Sequence, residues 1–270
     1  MSVRLLVAVA VAALVIPALT ASSTARAPLA VAGSQATAQA APAQAVPAAP
    51  PLPADEIIAA LRRPENSTGN IADAVEAATG ARGWMSSDLK PIGPGKSVGR
   101  AWTAVMRPVL RNDTRTYPNY HLQILDEAPA GSVLVYVMEG GVEIAALGNL
   151  MATTAKVRGI EATVVDGAVR DVTEIRAMGH QVFARRISPA TSVGRMVAVS
   201  KQTPVRCGDV LVTPGDFIVG DADGVVVVPQ AAASQVVALL KDYDARESKM
   251  VPLIQQQKSM QKALEIYGRY

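Results

Sequence analysis

Residues 148–172 read GNLMATTAKVRGIEATVVDGAVRDV. A glycine opens the stretch. A helix-like segment follows, then a buried strand at residues 162–165, then a turn at Asp166-Gly167, and the stretch runs on to Arg170-Asp171. About twenty residues, roughly one helix plus one strand, separate Asn149 from Arg170. A helix rises about 1.5 Å per residue and a strand about 3.3 Å, so the two ends can lie side by side. What stands at those ends suits a small anion and metal site. Gly148, Asn149, Leu150 and Met151 would present free backbone N–H groups at a helix start, which favour anions. Arg170 offers a planar fork matched to a carboxylate. Asp171 is a hard oxygen ligand suited to Mg²⁺ or Mn²⁺. Together they fit a 2-oxo acid chelated to a divalent metal. The same residues also have a plain structural reading: Asp171-Val172-Thr173-Glu174 fits a capping box, and Arg170 can be a solvated surface charge.

Working outward, residues 133–138 form a continuous apolar run, which reads as a buried strand. Residues 144–157 have helical periodicity interrupted at Gly148-Asn149, so the helix proper is expected to start near Asn149 or Leu150. Residues 171–178 read as a helix stopped by Gly179. Upstream, helices are expected at residues 54–63 and 71–79, the second capped by Asn70, a strand at 98–106, a polar loop at 111–119 and a helix at 121–126. Short strands follow at 181–184 and 197–199. From Val205 the rhythm is all-β, with turns at Gly208-Asp209, Pro214 to Asp216 and Asp221 to Gly224. Residues 231–257 read as a long helix broken near Pro252. Strands interleaved with helices in one half and hairpins in the other predict layered α/β in a single domain.

The chain starts differently. Arg4 supplies a short basic region, residues 5–16 are unbroken apolar, and Ala25-Arg26-Ala27 resembles a cleavage site. Residues 1–27 therefore read as a secretory signal peptide, implying a periplasmic or secreted protein. Pro28 disfavours a cut directly after Ala27, which leaves residues 21–23 as the other cleavage region. An uncleaved membrane anchor is the alternative, although the run is short against the ~20 residues of a span. Residues 28–53 are Ala- and Pro-rich without charge, a disordered tether by composition. Residues 54–270 suffice for one domain. The formal charge of +3 falls to about +1 without Arg4 and Arg26. With no basic stripe and only 4% aromatic residues, nucleic acid is not an expected partner. Cys207 is the single cysteine, so no internal disulfide forms. His121 and His180 are too isolated for a zinc site or a triad, and no nucleophile elbow, P-loop or dinucleotide fingerprint occurs.

The string GNLMATTAKVRGIEATVVDGAVRDVTEIRAMGHQVFAR at residues 148–185 resembles the metal-dependent (class II) pyruvate aldolase family. That family includes 4-hydroxy-4-methyl-2-oxoglutarate / 4-carboxy-4-hydroxy-2-oxoadipate aldolase and the RraA-like proteins, named for the regulator of ribonuclease activity A. The resemblance runs from about residue 70 to about residue 253, and GDADGVVVVP at 220–229 and ARESK at 245–249 also match. It implies a swivelling β/β/α sandwich assembled as a homotrimer or homohexamer. It implies that Arg170 binds the pyruvate carboxylate and that Asp171 binds the metal. The family places an acidic residue after the glycine, where it helps hold a metal-bound water that acts as acid and base. This chain has Asn149 there, and an amide cannot take a proton at neutral pH. A family glutamate reaches the metal's water shell from a neighbouring subunit, and Glu247 is the nearest match.

Three functions follow from the resemblance. The first is a lyase that cleaves a 4-hydroxy-2-oxo acid of the 4-hydroxy-4-methyl-2-oxoglutarate type to pyruvate, with oxaloacetate decarboxylation on the same site. The second is a sibling enzyme of another 2-oxo or sugar acid. The third is a non-catalytic RraA-like binding or regulatory protein. An export signal disfavours inhibition of a cytoplasmic ribonuclease.

Overall fold

The computed structural model describes residues 49–110 and 112–268. The expected signal peptide and most of the expected tether lie outside these residues. In chain order the elements are α1 (Ala54–Arg62), α2 (Thr68–Thr79), β1 (Lys90–Pro91), β2 (Ser97–Pro108), α3 (Tyr120–Glu127), β3 (Ser132–Met138), β4 (Ala145–Leu147), α4 (Asn149–Val157) and β5 (Ala162–Val169). Then come α5 (Val172–Met178), β6 (Gln181–Ile187), β7 (Met196–Lys201), β8 (Val205–Cys207), β9 (Val210–Val212), β10 (Phe217–Gly220), β11 (Val225–Val228), α6 (Ala233–Gln257) and α7 (Met260–Tyr267).

The sheet forms around β3, whose seven residues are all buried, as its unbroken apolar sequence requires of a strand covered on both faces. β2, β3, β5 and β6 run parallel, with Thr103 opposite Val135 and Val135 opposite Val164. β2 is long enough to take two antiparallel partners on its outer edge. Its first half pairs with β10 and its second half with β7, and the β7 pairing shifts register between Val105 and Met106. β5 is shared in the same way: β3 takes its first half and β4 its second. Such shared edges curl the nine-stranded sheet.

Alternation along the strands sorts the core into layers. Leu134, Tyr136 and Met138 pack with Ile124, Ala152 and Ile175 of the helices α3, α4 and α5. Val133, Val135 and Val137 pack with Val205, Cys207, Val210 and Val212 of the β8–β9 hairpin on the opposite face. This gives hairpin, sheet and helix layers in one mixed α/β domain. A third cluster joins Phe217, Val219, Val226 and Val228 to Leu61, Ile71 and Leu240 of α1, α2 and α6. Tyr136 is fully buried, and its hydroxyl donates to the His121 carbonyl at 2.8 Å, which satisfies a polar atom that the core strand brings inside.

Several expectations need correction. α4 starts at Asn149, as expected, but the helical periodicity read ahead of it is strand at residues 145–147: three apolar residues beside β5 fit either period. Asp166-Gly167 does not turn the chain. β5 continues through it with a register shift relative to β6, and a side chain at Gly167 would meet Met138 Cγ at 2.4 Å. The Asp166 carboxylate accepts from Gly208 N at 2.6 Å and pairs with Arg185, which also pairs with Asp88. The apparent turn residue thus pins the β8–β9 hairpin to the sheet. Ser67, not Asn70, caps α2, accepting from Asn70 N at 3.2 Å. α6 runs unbroken through Pro252, which is exposed, so water can satisfy the carbonyl that loses its partner. The last five residues assigned to the tether, 49–53, lie on the domain: Ala49 N donates to Gln235 Oε1 at 2.8 Å and Leu52 N to Ser234 Oγ at 2.9 Å.

Candidate functional site

β4 and β5 end side by side, and the Arg170 N–H donates to the Leu147 carbonyl at 3.0 Å. Gly148 and Arg170 therefore leave the sheet as neighbours. α4 starts immediately, at Asn149, and runs back toward the start of β5. Its N-terminus stands where the two strands end. The first intrahelical bond goes from Ala152 N to Gly148 O, at 3.0 Å. The N–H groups of Leu150 and Met151 precede that bond and so point out of the helix end.

Asp171 is the residue before α5, but it does not act as a capping box. Its side chain makes no cap bond to α5, and its backbone is left-handed at φ 56° and ψ 40°. Asp is among the few non-glycine residues that adopt this conformation readily. The carboxylate instead reaches across to α4, where Oδ2 accepts from Asn149 N at 2.9 Å. A negative side chain at a helix N-terminus also meets the positive end of the helix dipole. Arg170 Nε lies 3.6 Å from the same Oδ2. Both contacts use Oδ2, and Oδ1 takes part in neither.

Gly148 makes this arrangement possible. A Cβ there would lie 2.7 Å from Asp171 Oδ2 and 3.0 Å from Arg170 Nε. Its φ of −132° is ordinary extended backbone, so the requirement is space rather than conformation. The carboxylate and the guanidinium occupy the room a side chain would fill. With side chains 41% and 38% exposed, Arg170 and Asp171 remain open to a ligand.

The pair opens into a cavity of about 660 Å³ that Gly148, Asn149, Leu150 and Met151 also line. The structure thus brings together six of the seven residues singled out from the sequence. Asn149 Oδ1 accepts from Thr153 Oγ1 at 3.3 Å, along the surface of α4. Glu247 is elsewhere. It lines a separate cavity of about 800 Å³ between α2, α6 and α7, where Asn70 Nδ2 donates to its Oε2 at 3.2 Å. Sequence reasoning missed the far wall of the first cavity: His121 and Asp126 of α3, and Thr191 and Ser192 of the loop before β7. No local motif marks them: the packing of α3 beside α4 brings in the first two, and the Ala145 N–H, which donates to the Ala190 carbonyl at 2.8 Å, holds the loop with Thr191 and Ser192 beside β4. Burial lowers the pKa of His121. His180 belongs to the core: it is 1% exposed, its Nε2 is 2.9 Å from Thr163 Oγ1, and burial, with Lys156 nearby, pulls its pKa down to about 4.

Among the described residues no group of three or more His, Cys, Asp or Glu is placed to hold a metal ion. The donor chemistry still suits a hard cation. Mg²⁺ is commonly held through only one or two carboxylates, with water and substrate oxygens completing its shell. Asp171, half-exposed at a cavity mouth with Oδ1 outside both contacts, meets that need.

Residues 68–227 match the model of the RraA-like family, described as Aldolase/RraA, and the chain belongs to that family. It is 34% identical over 167 residues to a Halalkalibacterium halodurans protein named "Putative 4-hydroxy-4-methyl-2-oxoglutarate aldolase", covering 54% of this chain and 76% of that one. It is 33% identical over 174 residues to protein DlpA of Legionella pneumophila, covering 63% of this chain but only 27% of that longer protein. Among solved structures, Streptomyces coelicolor RraAS2 superimposes with a TM-score of 0.64 at 29% identity, covering 73% of this chain and 96% of that one. That protein is described as an unusual member of the RNase ES inhibitor RraA family.

Proposed function

We propose that this chain is a divalent-metal-dependent lyase that cleaves a 4-hydroxy-2-oxo acid to pyruvate. The observation that carries this reading is the cradle at Gly148, which holds a guanidinium and a carboxylate against one helix N-terminus. Arg170 holds the substrate carboxylate, helped by the N–H groups of Leu150 and Met151. Asp171 holds the metal, Mg²⁺ or Mn²⁺, which when bound supplies a Lewis acid to the 2-oxo acid. In the reaction the C3–C4 bond breaks, the C4 hydroxyl gives up its proton as a carbonyl forms, and C3 takes a proton to give pyruvate. The fixed charge of Arg170 favours the electron-rich fragment as the bond breaks. The name carried by the Halalkalibacterium relative supports this chemistry.

Two further parts belong to the proposal. Glu247 serves the site of a neighbouring subunit in a homotrimer or homohexamer, since one chain does not bring it to Arg170. Residues 1–27 direct export and 28–48 tether the domain, placing the enzyme in the periplasm or outside the cell, with membrane attachment only where the signal is uncleaved. The test is release of pyruvate from 4-hydroxy-2-oxo acids by the full chain with Mg²⁺ or Mn²⁺, measured with and without a chelator. Release that needs the metal and is lost in Arg170→Ala is expected, and no release with any such acid would refute the reading.

A second reading is favoured by Asn149: a binding or regulatory protein that keeps the metal and anion site without turnover. It predicts tight 2-oxo acid binding in calorimetry with no pyruvate released.

A further inference from the structure

The cavity beside Arg170 is one-sided in its chemistry. Arg170 is the single Arg or Lys among the described residues that line it, and two carboxyl side chains, Asp126 and Asp171, line it too. His121 adds no cation at neutral pH, because burial lowers its pKa. Much of the rest is apolar: Leu122, Leu125, Leu150, Met151, Val193 and Met196. Two of these are large side chains held open at the mouth, Leu150 at 82% and Val193 at 77% exposure. Lone exposed apolar residues are ordinary on a protein surface. Here α3, α4 and the loop before β7 each place one, Leu122, Leu150 and Val193, around a single cavity that already holds a carboxylate clamp.

We propose that the 2-oxo acid taken here has one carboxylate and an apolar remainder on C4, an alkyl or aryl group, rather than a second carboxylate. The inference rests on the lyase reading above and names its substrate class. The substrate is R–CH(OH)–CH₂–CO–COO⁻, and cleavage gives R–CHO and pyruvate with no oxidant or reductant. Arg170 takes the only carboxylate. R lies against Leu122, Leu150 and Val193. A second carboxylate in that position would stand among apolar side chains and near Asp126 with no cation of this chain to pair with it, a disadvantage that works as discrimination. This sets the chain apart from a relative whose name specifies a dicarboxylate.

The test uses the full chain with Mg²⁺ and a calorimetric series of 2-oxobutanoate, 2-oxopentanoate, 2-oxohexanoate and 2-oxoglutarate. Affinity should rise by about fourfold per added methylene. 2-Oxoglutarate, similar in length to 2-oxohexanoate, should bind at least about tenfold more weakly than it. Leu150→Arg supplies a cation at a mostly exposed position where folding is not at stake. It should raise 2-oxoglutarate affinity by about tenfold, and no gain would overturn the placement of the remainder against Leu150. Equal or tighter binding of 2-oxoglutarate by the wild type would overturn the apolar class. If pyruvate is then released from 4-hydroxy-4-methyl-2-oxoglutarate, the lyase reading survives that failure. If no 2-oxo acid in the series binds, both fall.

Discussion

A methyl group at Gly148 is the sharpest probe of the site, because it alters neither charged group. In Gly148→Ala the new Cβ would lie 2.7 Å from Asp171 Oδ2 and 3.0 Å from Arg170 Nε, where ordinary contact begins at 3.4 Å. The carboxylate must retreat by about 0.7 Å and the guanidinium by about 0.4 Å, taking the difference between each distance and that limit. Metal–ligand distances ordinarily hold to within about 0.2 Å. A misplacement of about 1 Å can reduce catalysis by roughly 10²-fold. Stability should barely change. Ala is at ease at φ −132°, and replacing Gly restricts the unfolded chain by about 0.4–1 kcal/mol. Against this stands a weakened bond from Asn149 N to Asp171, discounted for its solvent exposure. The net falls within about 1 kcal/mol, or roughly 2–4 °C in Tm for a domain of this size. Calorimetric metal titration should show an affinity loss of about tenfold, and the pyruvate-release assay a kcat/KM loss of about 10²-fold. Wild-type metal affinity and turnover in the variant would refute the cradle. A large fall in Tm alongside the losses would instead mark Gly148 as a structural requirement.

Asp171→Ala should abolish divalent-metal binding in calorimetry while the fold persists; unchanged metal affinity with lowered stability would return Asp171 to a purely structural role. Asn149→Asp puts a carboxylate where the resemblance to class II pyruvate aldolases implies one and should raise pyruvate release by at least about tenfold, mainly in kcat; lower activity on every 2-oxo acid tried would mean that Asn149 is tuned to its ligand. Asp166→Asn should cost roughly 2–4 kcal/mol in chemical denaturation, because Arg185 loses a largely buried partner; a change under about 0.5 kcal/mol would show that the hairpin does not depend on this pair. His180 has a folded pKa near 4 against an ordinary 6.5, so the unfolded chain takes the proton first. Its contribution is complete above about pH 6.5 and lost as pH falls toward 4, by at most about 3 kcal/mol, and His180→Gln should flatten that part of the stability profile.

The site was more legible in the sequence than the elements that carry it. Gly148, Arg170 and Asp171 are close in sequence, and one helix plus one strand must bring the ends of the stretch together. Its weak points were local signals that tertiary contacts override. Asp166-Gly167 has turn chemistry, yet Asp166 binds Gly208 N and Arg185, and Gly167 makes room for Met138. Asp171 with Glu174 has capping-box spacing, yet its left-handed backbone turns the carboxylate toward a different helix. Pro252 has breaker chemistry, yet it sits on the wet side of α6. His121, Asp126 and Ser192 were invisible because they reach the cavity from segments that share no spacing rule with residues 148–171.

Position 149 shows how the fold separates what it needs from what the chemistry needs. Parallel strands deliver their C-terminal ends and the following helix N-termini to one edge, and ligand sites gather there. The β4–α4–β5 unit does this on a small scale, with Gly148 alone between the end of β4 and the start of α4. The architecture uses residue 149 only through its backbone, whose N–H fixes the Asp171 carboxylate at 2.9 Å. The side chain lies on the α4 surface beside Thr153, outside the core. Asp, Glu or Asn there would leave the strand ends, the cradle at Gly148 and the Asp171 contact in place. On the lyase reading, the side chain at this position is therefore free to change without disturbing Arg170 and Asp171, the residues proposed to hold the carboxylate and the metal. On the lyase reading proposed above, a chain that keeps Arg170 and Asp171 but carries Asn149 would keep recognition while altering the step that follows it.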